Sequence, residues 1–456
     1  MTAAHILDSV VYEHLWTTPE SRERFGERGR MQAWLGIVAA LARVQAEVGL
    51  VPEAAAEEIE ATADIDGFDL EEVAAGTRES GHSTLGIIRA WQRRLSPAAS
   101  EWIYWGATVQ DVTDTWTGMV MRHVLDDTDA ELARLERALV ALAREHRETI
   151  ALGRTHGQPG LPITFGFKVA VWLAEVRRHR ERIAQARPRL AVGQLAGAVG
   201  TCSFWGDHGL ELQRRLCERL GLAAPDVTWL TARDRVAEFT TLLALVTGTL
   251  AKIGHEIYAL RRPEIGELAE ATRPGVVGSI TMPHKRNPEL SEHLGTLWRV
   301  VRGAAALALE GVVHEHERDG TAWKVEWAFL PEACLLTAAA LRFGVELVEG
   351  LEVDRERMAA NVAAHGGYVQ SEPVMRALTD RLGKHRAHEL VYQASMRGQA
   401  EGVTLREALG ADATIAAELS AEDLDVLLDP VTAARPAIAL VDRVLGADAP
   451  GREAGG

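Results

Sequence analysis

One stretch of the chain combines glycine, proline and polar side chains: GVVGSITMPHKRNPELSE, at Gly275–Glu292. Gly275 and Gly278 can adopt backbone angles that other residues avoid, and Pro283 and Pro288 stiffen the chain and remove amide donors. Apolar patterns typical of long helices stand on both sides of it. We therefore predict a mobile interhelical loop that presents a hydroxyl, a cation and an amide to a ligand. The alternative is a simple turn with solvated charges.

The order of residues in this stretch, G-S-x-x-M-P-x-K-x-N-P, resembles the signature of the fumarase/aspartase superfamily. That superfamily includes adenylosuccinate lyase, argininosuccinate lyase and 3-carboxy-cis,cis-muconate cycloisomerase. Three further segments stand in the order that its members use: GATVQDVTDT at Gly106–Thr115, GRTHGQP at Gly153–Pro159 and HEHERDGTAWKVEWAFLP at His314–Pro331. The resemblance extends over nearly the whole chain and favours the branch of adenylosuccinate lyase and the muconate cycloisomerases.

Helical periodicity dominates the rest of the chain and predicts an all-α fold. Long helices are predicted around Leu132–Leu142, over about 163–186, over about 234–260, after Pro288 and after Pro331. Alternating patterns typical of strands are scarce. A helix of 25 residues spans roughly 37 Å, which is more than a compact monomer needs. These lengths favour a bundle that continues into a shared oligomeric core, and the alternative is a long bundle in a monomer.

Two breaks in the helical pattern indicate three regions, the first at Trp105–Asp111 and the second at the segment AAHGGY. We predict an N-terminal helical domain over 1–107, a central long-helix bundle over 108–362 that carries the loop 275–292, and a C-terminal helical domain over 363–456. The resemblance implies a homotetramer in which the central domains form a twenty-helix core. It also implies that each active site is assembled from three subunits.

Composition limits the partners and the compartment. The 456 residues include 49 Lys and Arg against 65 Asp and Glu, which gives a formal net charge of −16. Nucleic acid and anionic membranes are therefore not expected as main partners, although a local cluster of cations can still bind an anionic substrate. The N-terminus lacks the apolar run of a signal peptide. These features predict a cytoplasmic protein.

Cysteine and histidine patterns give no sign of a metal or a disulfide. Cys202, Cys217 and Cys334 are scattered and are expected to be small buried hydrophobes. His314 and His316 form an H-x-H pair, but no acidic or thiol ligand stands at matching spacing, so hydrogen bonding is favoured over metal binding. No dinucleotide-binding or phosphate-binding glycine motif is present. We predict neither a metal nor a cofactor.

The resemblance implies a reaction in which a proton is removed from the carbon next to a carboxylate and a group leaves the neighbouring carbon. The dianionic intermediate requires cations and donors where its charge develops. Ser279 corresponds to the proton-abstracting base, whose alkoxide needs loop amides and nearby cations. Lys285 and Asn287 resemble the residues that hold the carboxylate being activated.

Two histidines are predicted to belong to the site. His156 resembles the catalytic histidine of adenylosuccinate lyase, and Glu292 resembles the acid that pairs with it, fixes its tautomer and raises its pKa. His82, in TRESGHSTLG, aligns with the second active-site histidine of that enzyme, and which of the two donates a proton is left open. The predicted substrate-binding residues are Thr108, Gln110, Thr155, Met282, Asn287 and Arg318.

Departures from the superfamily pattern bear on the substrate. Members usually carry a second serine after the position of Ser279, and this chain has Ile280 there. A serine is also common after the position of Thr108, where this chain has Val109. The arginine with which adenylosuccinate lyase grips a nucleotide phosphate aligns with Trp327. Because a phosphate needs several charge-assisted donors, adenylosuccinate is not expected as the substrate.

These observations favour a carbon–nitrogen lyase that acts on a small substituted succinate and releases fumarate and an amine or nitrite. Nitrosuccinate is the preferred example, because a nitrite leaving group needs less acid assistance than an amine. A 3-carboxy-cis,cis-muconate cycloisomerase is the alternative, since the W-x-x-E-W piece at Trp323–Trp327 resembles that branch. Its tryptophans are either core aromatics or pocket walls. A catalytically silent structural protein is a further alternative, which the presence of Ser279 and His156 disfavours.

Overall fold

The computed structural model describes residues 5–272, 275, 277, 279–282 and 284–446. Helices make up most of this part of the chain, which confirms the all-α prediction. The helices are α1 (Glu13–Trp16), α2 (Pro19–Phe25), α3 (Glu27–Glu47), α4 (Glu53–Ala61), α5 (Leu70–Ser80), α6 (Leu85–Gln92), α7 (Pro97–Ser100), α8 (Val109–Glu145), α9 (Phe165–Leu190), α10 (Gly209–Arg219), α11 (Asp234–Arg261), α12 (Glu289–Glu310), α13 (Gly320–Glu349), α14 (Arg355–Ala363), α15 (Ser371–Leu382), α16 (Lys384–Glu401), α17 (Leu405–Gly410), α18 (Ala413–Glu418), α19 (Ala421–Leu427) and α20 (Pro430–Gly446).

Two short antiparallel pairs of strands accompany the helices. β1 (Ile150–Thr155) pairs with β2 (Gln158–Thr164), and β3 (Leu268–Ala269) pairs with β4 (Glu352–Val353). The β1–β2 hairpin is absent from the sequence-based prediction, because three glycines and two prolines interrupt the alternation by which a strand is recognised.

The long helices agree with the prediction except at one start. α11 occupies the predicted span, and α12 begins directly after Pro288. The predicted start after Pro331 is wrong, because α13 begins at Gly320 and contains Pro331 in its interior. Asp319 accounts for the earlier start: its carboxylate accepts a hydrogen bond from the Thr321 amide at 2.8 Å and caps the first turn.

Contacts along the chain define two compact units, each built from separated segments. Unit 1 comprises Met1–Leu132, His179–Gly248 and Thr296–Arg342, and unit 2 comprises Ala133–Arg178, Thr249–Gly295 and Phe343–Gly456. The three-domain division at 1–107, 108–362 and 363–456 stays a prediction.

Each unit has its own apolar cluster. In unit 1, Leu41 and Val44 of α3 belong to a buried cluster with Leu216 of α10. In unit 2, Val374 of α15 and Leu390 of α16 belong to another. α11 and α13 are long and apolar enough to span a membrane, but 67% of the most apolar window of each helix is buried. This burial is typical of core helices, whose apolar surface is covered by protein.

Candidate active site

The start of α8 in unit 1 is organised by the Asp111 carboxylate. Its Oδ2 accepts a hydrogen bond from the Thr108 amide at 2.9 Å, as the third helical residue does in a capping box. Its Oδ1 accepts from the Ala196 amide at 2.8 Å, and the Gly197 amide lies 3.2 Å from Oδ2. Burial raises the pKa of Asp111 to about 6, against the effect of these amides. The T-x-x-D pattern thus fixes the backbone of Thr108 at the start of the helix.

Arg318 contacts Thr108 and is only partly satisfied. Its Nη1 donates to Thr108 Oγ1 at 3.0 Å. Its Nε and Nη2 are buried and have no hydrogen-bond partner among the described residues. Buried donors without an acceptor are rare in folded proteins, and these two nitrogens form the edge of a guanidinium that binds a carboxylate through two hydrogen bonds. The arrangement suits a carboxylate ligand.

His82 lies in the turn between α5 and α6 of unit 1. Its Nδ1 is 3.4 Å from Oγ1 of the buried Thr84. Burial raises the pKa of the Tyr104 phenol, and Thr84 and Arg318 are close enough to oppose that rise. The Tyr104 hydroxyl is buried without a well-aligned hydrogen bond to any described residue. Tyr104 therefore lies near both Thr84, the neighbour of His82, and Arg318, the partner of Thr108, and all of these residues belong to unit 1.

A buried ion triad supports the same region of unit 1. Arg233 donates through Nη1 to Asp114 at 2.9 Å and through Nε to Glu326 at 2.8 Å. None of the three side chains is more than 5% exposed. Burial alone lowers the pKa of Arg233, but the two carboxylates outweigh it and raise that pKa. Nearby, Gln110 is fully buried and donates to the Leu230 carbonyl at 2.7 Å, so its substrate contact stays a prediction.

A cavity of about 200 Å³ adjoins this triad in unit 1 and includes Glu326 in its lining. Four tryptophans form its walls: Trp34, Trp116, Trp323 and Trp327. The rings of Trp323 and Trp327 meet edge to face, with centroids 5.1 Å apart, which is a favourable geometry for an aromatic pair. Of the two alternatives for these tryptophans, the structure favours pocket walls.

His156 occupies the tip of the β1–β2 hairpin in unit 2. Thr155 pairs with Gln158, so that only His156 and Gly157 form the turn. Both have positive φ, 53° for His156 and 74° for Gly157, as a two-residue hairpin turn with a right-handed strand twist requires. Positive φ disfavours a histidine, because its Cβ crowds the backbone. Thr155 and His156 are exposed in the single chain.

Ion pairing anchors the base of this hairpin within unit 2. Arg154 of β1 donates through Nη1 to Glu267 at 3.0 Å, and the Glu267 side chain is 1% exposed. Asn361 of α14 donates to the same carboxylate at 2.8 Å. Because a buried carboxylate with several donors is costly to separate from them, the two strands have a defined position beneath an exposed tip.

The predicted catalytic loop belongs to unit 2 and has local order around Ser279. The Met282 amide donates to Ser279 Oγ at 3.1 Å, and the Lys285 amide donates to the Met282 carbonyl at 2.9 Å. Gly275 has the predicted positive φ, 84°. The predictions for Gly278 and Pro283 lie outside the described residues. Met282 and Lys285 are exposed.

The loop leads into α12, whose start is capped by a carboxylate from outside the helix. Glu270 accepts from the Ser291 amide at 2.8 Å and from the Leu290 amide at 3.1 Å. Asn287 donates to Glu289 at 3.3 Å, and Glu292 is exposed in the first turn of the helix. Unit 2 thus brings Ser279, Lys285, Asn287 and Glu292 into one short stretch of chain.

The chain matches known protein families over most of its length. A family model described as lyase matches residues 14–303, and one described as adenylosuccinate lyase C-terminus matches residues 367–444. The chain belongs to the fumarase/aspartase superfamily of lyases.

Its relatives in the superfamily have several activities. N-acetyl-S-(2-succino)cysteine lyase of Dickeya dadantii (strain 3937) is 38% identical to this lyase, with 97% of each chain covered. 3-carboxy-cis,cis-muconate cycloisomerase of Pseudomonas aeruginosa is 39% identical, with 93% of each chain covered. The crystal structure of 3-carboxy-cis,cis-muconate lactonizing enzyme from Pseudomonas putida superposes with a TM-score of 0.90 at 37% identity, covering 96% of this chain and 98% of that one.

Several residues of the lyase that shape the site are missing from the sequence-based prediction. Asp111 and Tyr104 stand inside or beside a recognised motif, and the spacing of Thr108 and Asp111 could have indicated a cap. Arg233 and Asp114 are 119 residues apart, and no local signal connects them. Arg30, which lines the cavity, lies among other charged residues at the start of α3, far from every motif.

The H-x-H pair, His314 and His316, is expected from the sequence to form hydrogen bonds and not to bind a metal. No cluster of three metal-binding side chains occurs within the part of the chain that the structure describes. However, neither ring nitrogen of His314 has a hydrogen-bond partner in that part, although both nitrogens are buried. The favoured hydrogen bonding is therefore wrong for His314 in the single chain. Burial lowers the pKa of His314, which favours the neutral ring.

Proposed function

We propose that this lyase converts a small 2-substituted succinate into fumarate. A base removes a proton from C3, the C3 electron pair becomes the double bond, and the substituent leaves C2 with the bonding electrons. An amine or thiol takes up one proton as it leaves, whereas nitrite leaves as the anion. The negative charge that develops on the carboxylate next to C3 must be stabilised for the proton to be acidic enough.

The observation that carries this proposal is the half-satisfied guanidinium of Arg318. Its free Nε and Nη2 offer two parallel donors, and its Nη1 is held by Thr108. A planar carboxylate matches that edge through two parallel hydrogen bonds, whereas a neutral ligand would form no charge-assisted pair with it. A substrate with a carboxylate, such as one of the two in a succinate, is therefore the ligand that the chemistry of unit 1 supports best.

Ser279 is the base in this proposal. The hydrogen bond from the Met282 amide to Ser279 Oγ supports this role, because a donor aimed at the oxygen stabilises the alkoxide more than the hydroxyl. Lys285 and Asn287 would hold the carboxylate next to the acidic C–H, while Met282 and Thr155 border the substrate. Either His156, paired with Glu292, or His82 would give a proton to the leaving group.

We further propose a carbon–nitrogen bond as the one that breaks, with an amine or nitrite as the leaving group and nitrosuccinate as one substrate. The relative named for N-acetyl-S-(2-succino)cysteine supports the succinate half of this substrate. In the compound of that name the succinate is bonded to sulfur, so a thiol is a further leaving group to compare. Elimination of any of them produces the same fumarate.

A second candidate is 3-carboxy-cis,cis-muconate cycloisomerase. The 39% identity to such an enzyme and the TM-score of 0.90 to another favour it. In that reaction the substrate adds to its own double bond, and no second product leaves. The two candidates therefore differ in whether fumarate appears.

We propose a homotetramer with active sites shared by three subunits, acting in the cytoplasm. The exposure of His156 and Lys285 supports the sharing, because catalytic side chains are effective only where water is excluded. A central domain over 108–362 that supplies the twenty-helix core is part of the same proposal.

A panel of substrates tests the reaction. The lyase is incubated separately with nitrosuccinate, N-substituted aspartates, an S-succinylated cysteine and 3-carboxy-cis,cis-muconate, and fumarate is followed by chromatography. We expect fumarate from at least one succinate and none from the muconate. Loss of muconate absorbance without fumarate from any succinate would establish the cycloisomerase instead.

A further inference from the structure

The tryptophan-walled cavity of unit 1 is large enough for a small organic group. Its volume of about 200 Å³ exceeds the roughly 150 Å³ of an apolar protein cavity that binds benzene. Trp34 and Trp116 lie in its lining together with Trp323 and Trp327. Flat apolar walls of this kind favour a flat apolar ligand, because ring faces and edges give the largest contact area with it. A single six-membered ring with one small substituent matches this volume.

Three polar atoms of residues in the lining have no partner. They are Nε of Arg30, Nε1 of Trp34 and Oγ1 of Thr113, and each is buried without a hydrogen bond to any described residue. Trp34 is only 5% exposed and Thr113 only 3%. A buried donor without an acceptor destabilises the fold, so three of them around one cavity indicate an acceptor that the chain itself does not supply.

The formal charges of Arg30 and of the Arg233–Asp114–Glu326 triad cancel around the cavity. The lining contains two charged residues, Arg30 and Glu326. Glu326 shares the single positive charge of Arg233 with Asp114, so that triad has a formal charge of −1, whereas Arg30 has no ion pair within the described ranges. Burial lowers the pKa of Arg30, although the neighbouring Glu27 opposes that shift. The half-buried Arg30 guanidinium favours a carboxylate as the missing acceptor, because its buried Nε gains a charge-assisted hydrogen bond from such a group.

The cavity shares its structural elements with the unit 1 part of the proposed active site. Ser83 in its lining follows His82, and Thr113 lies on α8 just after Asp111. Trp323 belongs to the first turn of α13, which begins two residues after Arg318. A group bound in the cavity is therefore close in structure to the residues that would hold the succinate.

We infer that this cavity binds a planar apolar group that carries one carboxylate, and that this group is the substituent which leaves the succinate. Only the statement that this group is the leaving substituent rests on the proposed function. The carboxylate accepts from Arg30, the ring packs between the tryptophans, and the leaving atom takes the bonding electron pair and one proton as described above. Among the leaving groups of the proposed function this inference favours a substituted aryl amine, because ammonia and nitrite would leave most of this volume unfilled.

Benzoate binding to the full-length protein tests the first statement. Isothermal titration calorimetry compares benzoate with benzyl alcohol, which has the same ring without the charge. We expect benzoate to bind more tightly than benzyl alcohol. Arg30→Gln should weaken benzoate roughly 10- to 100-fold, as the loss of a hydrogen-bonded charge does, and leave benzyl alcohol unchanged. Arg28→Gln is the matched control, because Arg28 lies on the same helix but is exposed and paired with Asp66.

Two results would overturn the inference: no binding of benzoate by the wild-type protein, or equal weakening of benzoate by Arg30→Gln and Arg28→Gln. The melting temperature of Arg30→Gln should be unchanged, because Arg30 is only half-buried and has no ion pair within the described ranges. If that variant does not fold, Thr113→Val provides the same comparison with a smaller loss of affinity, since it removes a neutral hydroxyl of nearly the same volume.

Turnover separates this inference from the proposed function. An anilinosuccinate with a carboxylate on its ring is compared with plain anilinosuccinate, and kcat/KM for fumarate release is measured. We expect the carboxylated substrate to be favoured, and Arg30→Gln to abolish the preference. Equal rates with both substrates and both proteins would contradict the cavity assignment while preserving the lyase. Arg30-dependent binding of benzoate without fumarate from any succinate would contradict the lyase while preserving the cavity.

Discussion

The two units carry the predicted residues in contrasting surroundings. In unit 2, His156 and Lys285 are exposed, and Ser279 accepts a hydrogen bond from the Met282 amide of its own loop. In unit 1, Asp111 and Arg318 are held by contacts between distant parts of the sequence. In the proposed function these surroundings correspond to different roles: the buried residues of unit 1 would bind a carboxylate of the substrate, and the exposed residues of unit 2 would carry the reactive groups. Loss of a projecting group should affect turnover, and loss of a buried one should affect folding.

Removing the proposed base tests the projecting side of this comparison. We expect Ser279→Ala to lower kcat roughly 10²- to 10⁴-fold, as the loss of a general base does, with no change in melting temperature. Thr281→Ala, an exposed residue of the same loop, is the control and should retain activity. Unchanged turnover in Ser279→Ala would assign the base to another residue or indicate a silent protein.

Removing Arg233 tests the buried side. Arg233→Met leaves Asp114 and Glu326 buried without a counter-charge, so we expect the free energy of unfolding to fall by about 3–5 kcal/mol. Denaturation in urea measures the change. Arg214→Met removes an exposed guanidinium paired with Glu211 and should have a far smaller effect. Equal losses in the two variants would contradict the claim that burial makes the Arg233 ion pairs costly to break, since both arginines belong to unit 1.

The pH dependence of folding tests the electrostatics of Asp111. Its pKa in the folded protein, about 6, lies above the ordinary 3.8, so between these values the folded state binds more protons than the unfolded state. Its contribution to stability must therefore fall as pH rises from about 4 to about 6, by about 3 kcal/mol in total. The stability difference between wild type and Asp111→Asn should follow this course. A difference that is constant from pH 4 to pH 7 would contradict it.

The smallest expected effect concerns the hairpin tip. Gly157→Ala places a Cβ at φ 74° and should destabilise the fold by about 1 kcal/mol. Gly36→Ala lies inside α3 with open space around the new Cβ, and it should stabilise the fold by up to about 1 kcal/mol. Thermal unfolding of both variants gives the comparison. If both substitutions changed the stability in the same direction, Gly157 would not require the positive φ that the hairpin turn gives it.

The same contrast explains how much the sequence could predict. The loop around Ser279 and the helix after Pro288 are recognisable because their glycines, prolines and apolar repeats act locally. The position of His156 on a hairpin is hidden, since glycines and prolines obscure the strands.

The buried side of the site escapes prediction for a different reason. Arg233 meets Asp114 and Glu326 across 119 and 93 residues, and such pairing depends on the packing of helices that no short pattern specifies. The cavity likewise joins Arg30, Thr113 and Trp323 from three separate helices. Arg318 was predicted from a motif, but its free Nε and Nη2 are visible only in the structure.

The sharing of sites between copies, on which the proposed roles of the projecting residues depend, is tested most directly by mixing two inactive variants. Ser279→Ala and His156→Asn are unfolded together, refolded as a mixture, and assayed for fumarate release. If the two residues of one site come from different chains, random assembly restores about a quarter of wild-type activity. Activity no higher than that of the separate variants would contradict the account, because it would mean that one chain supplies both groups.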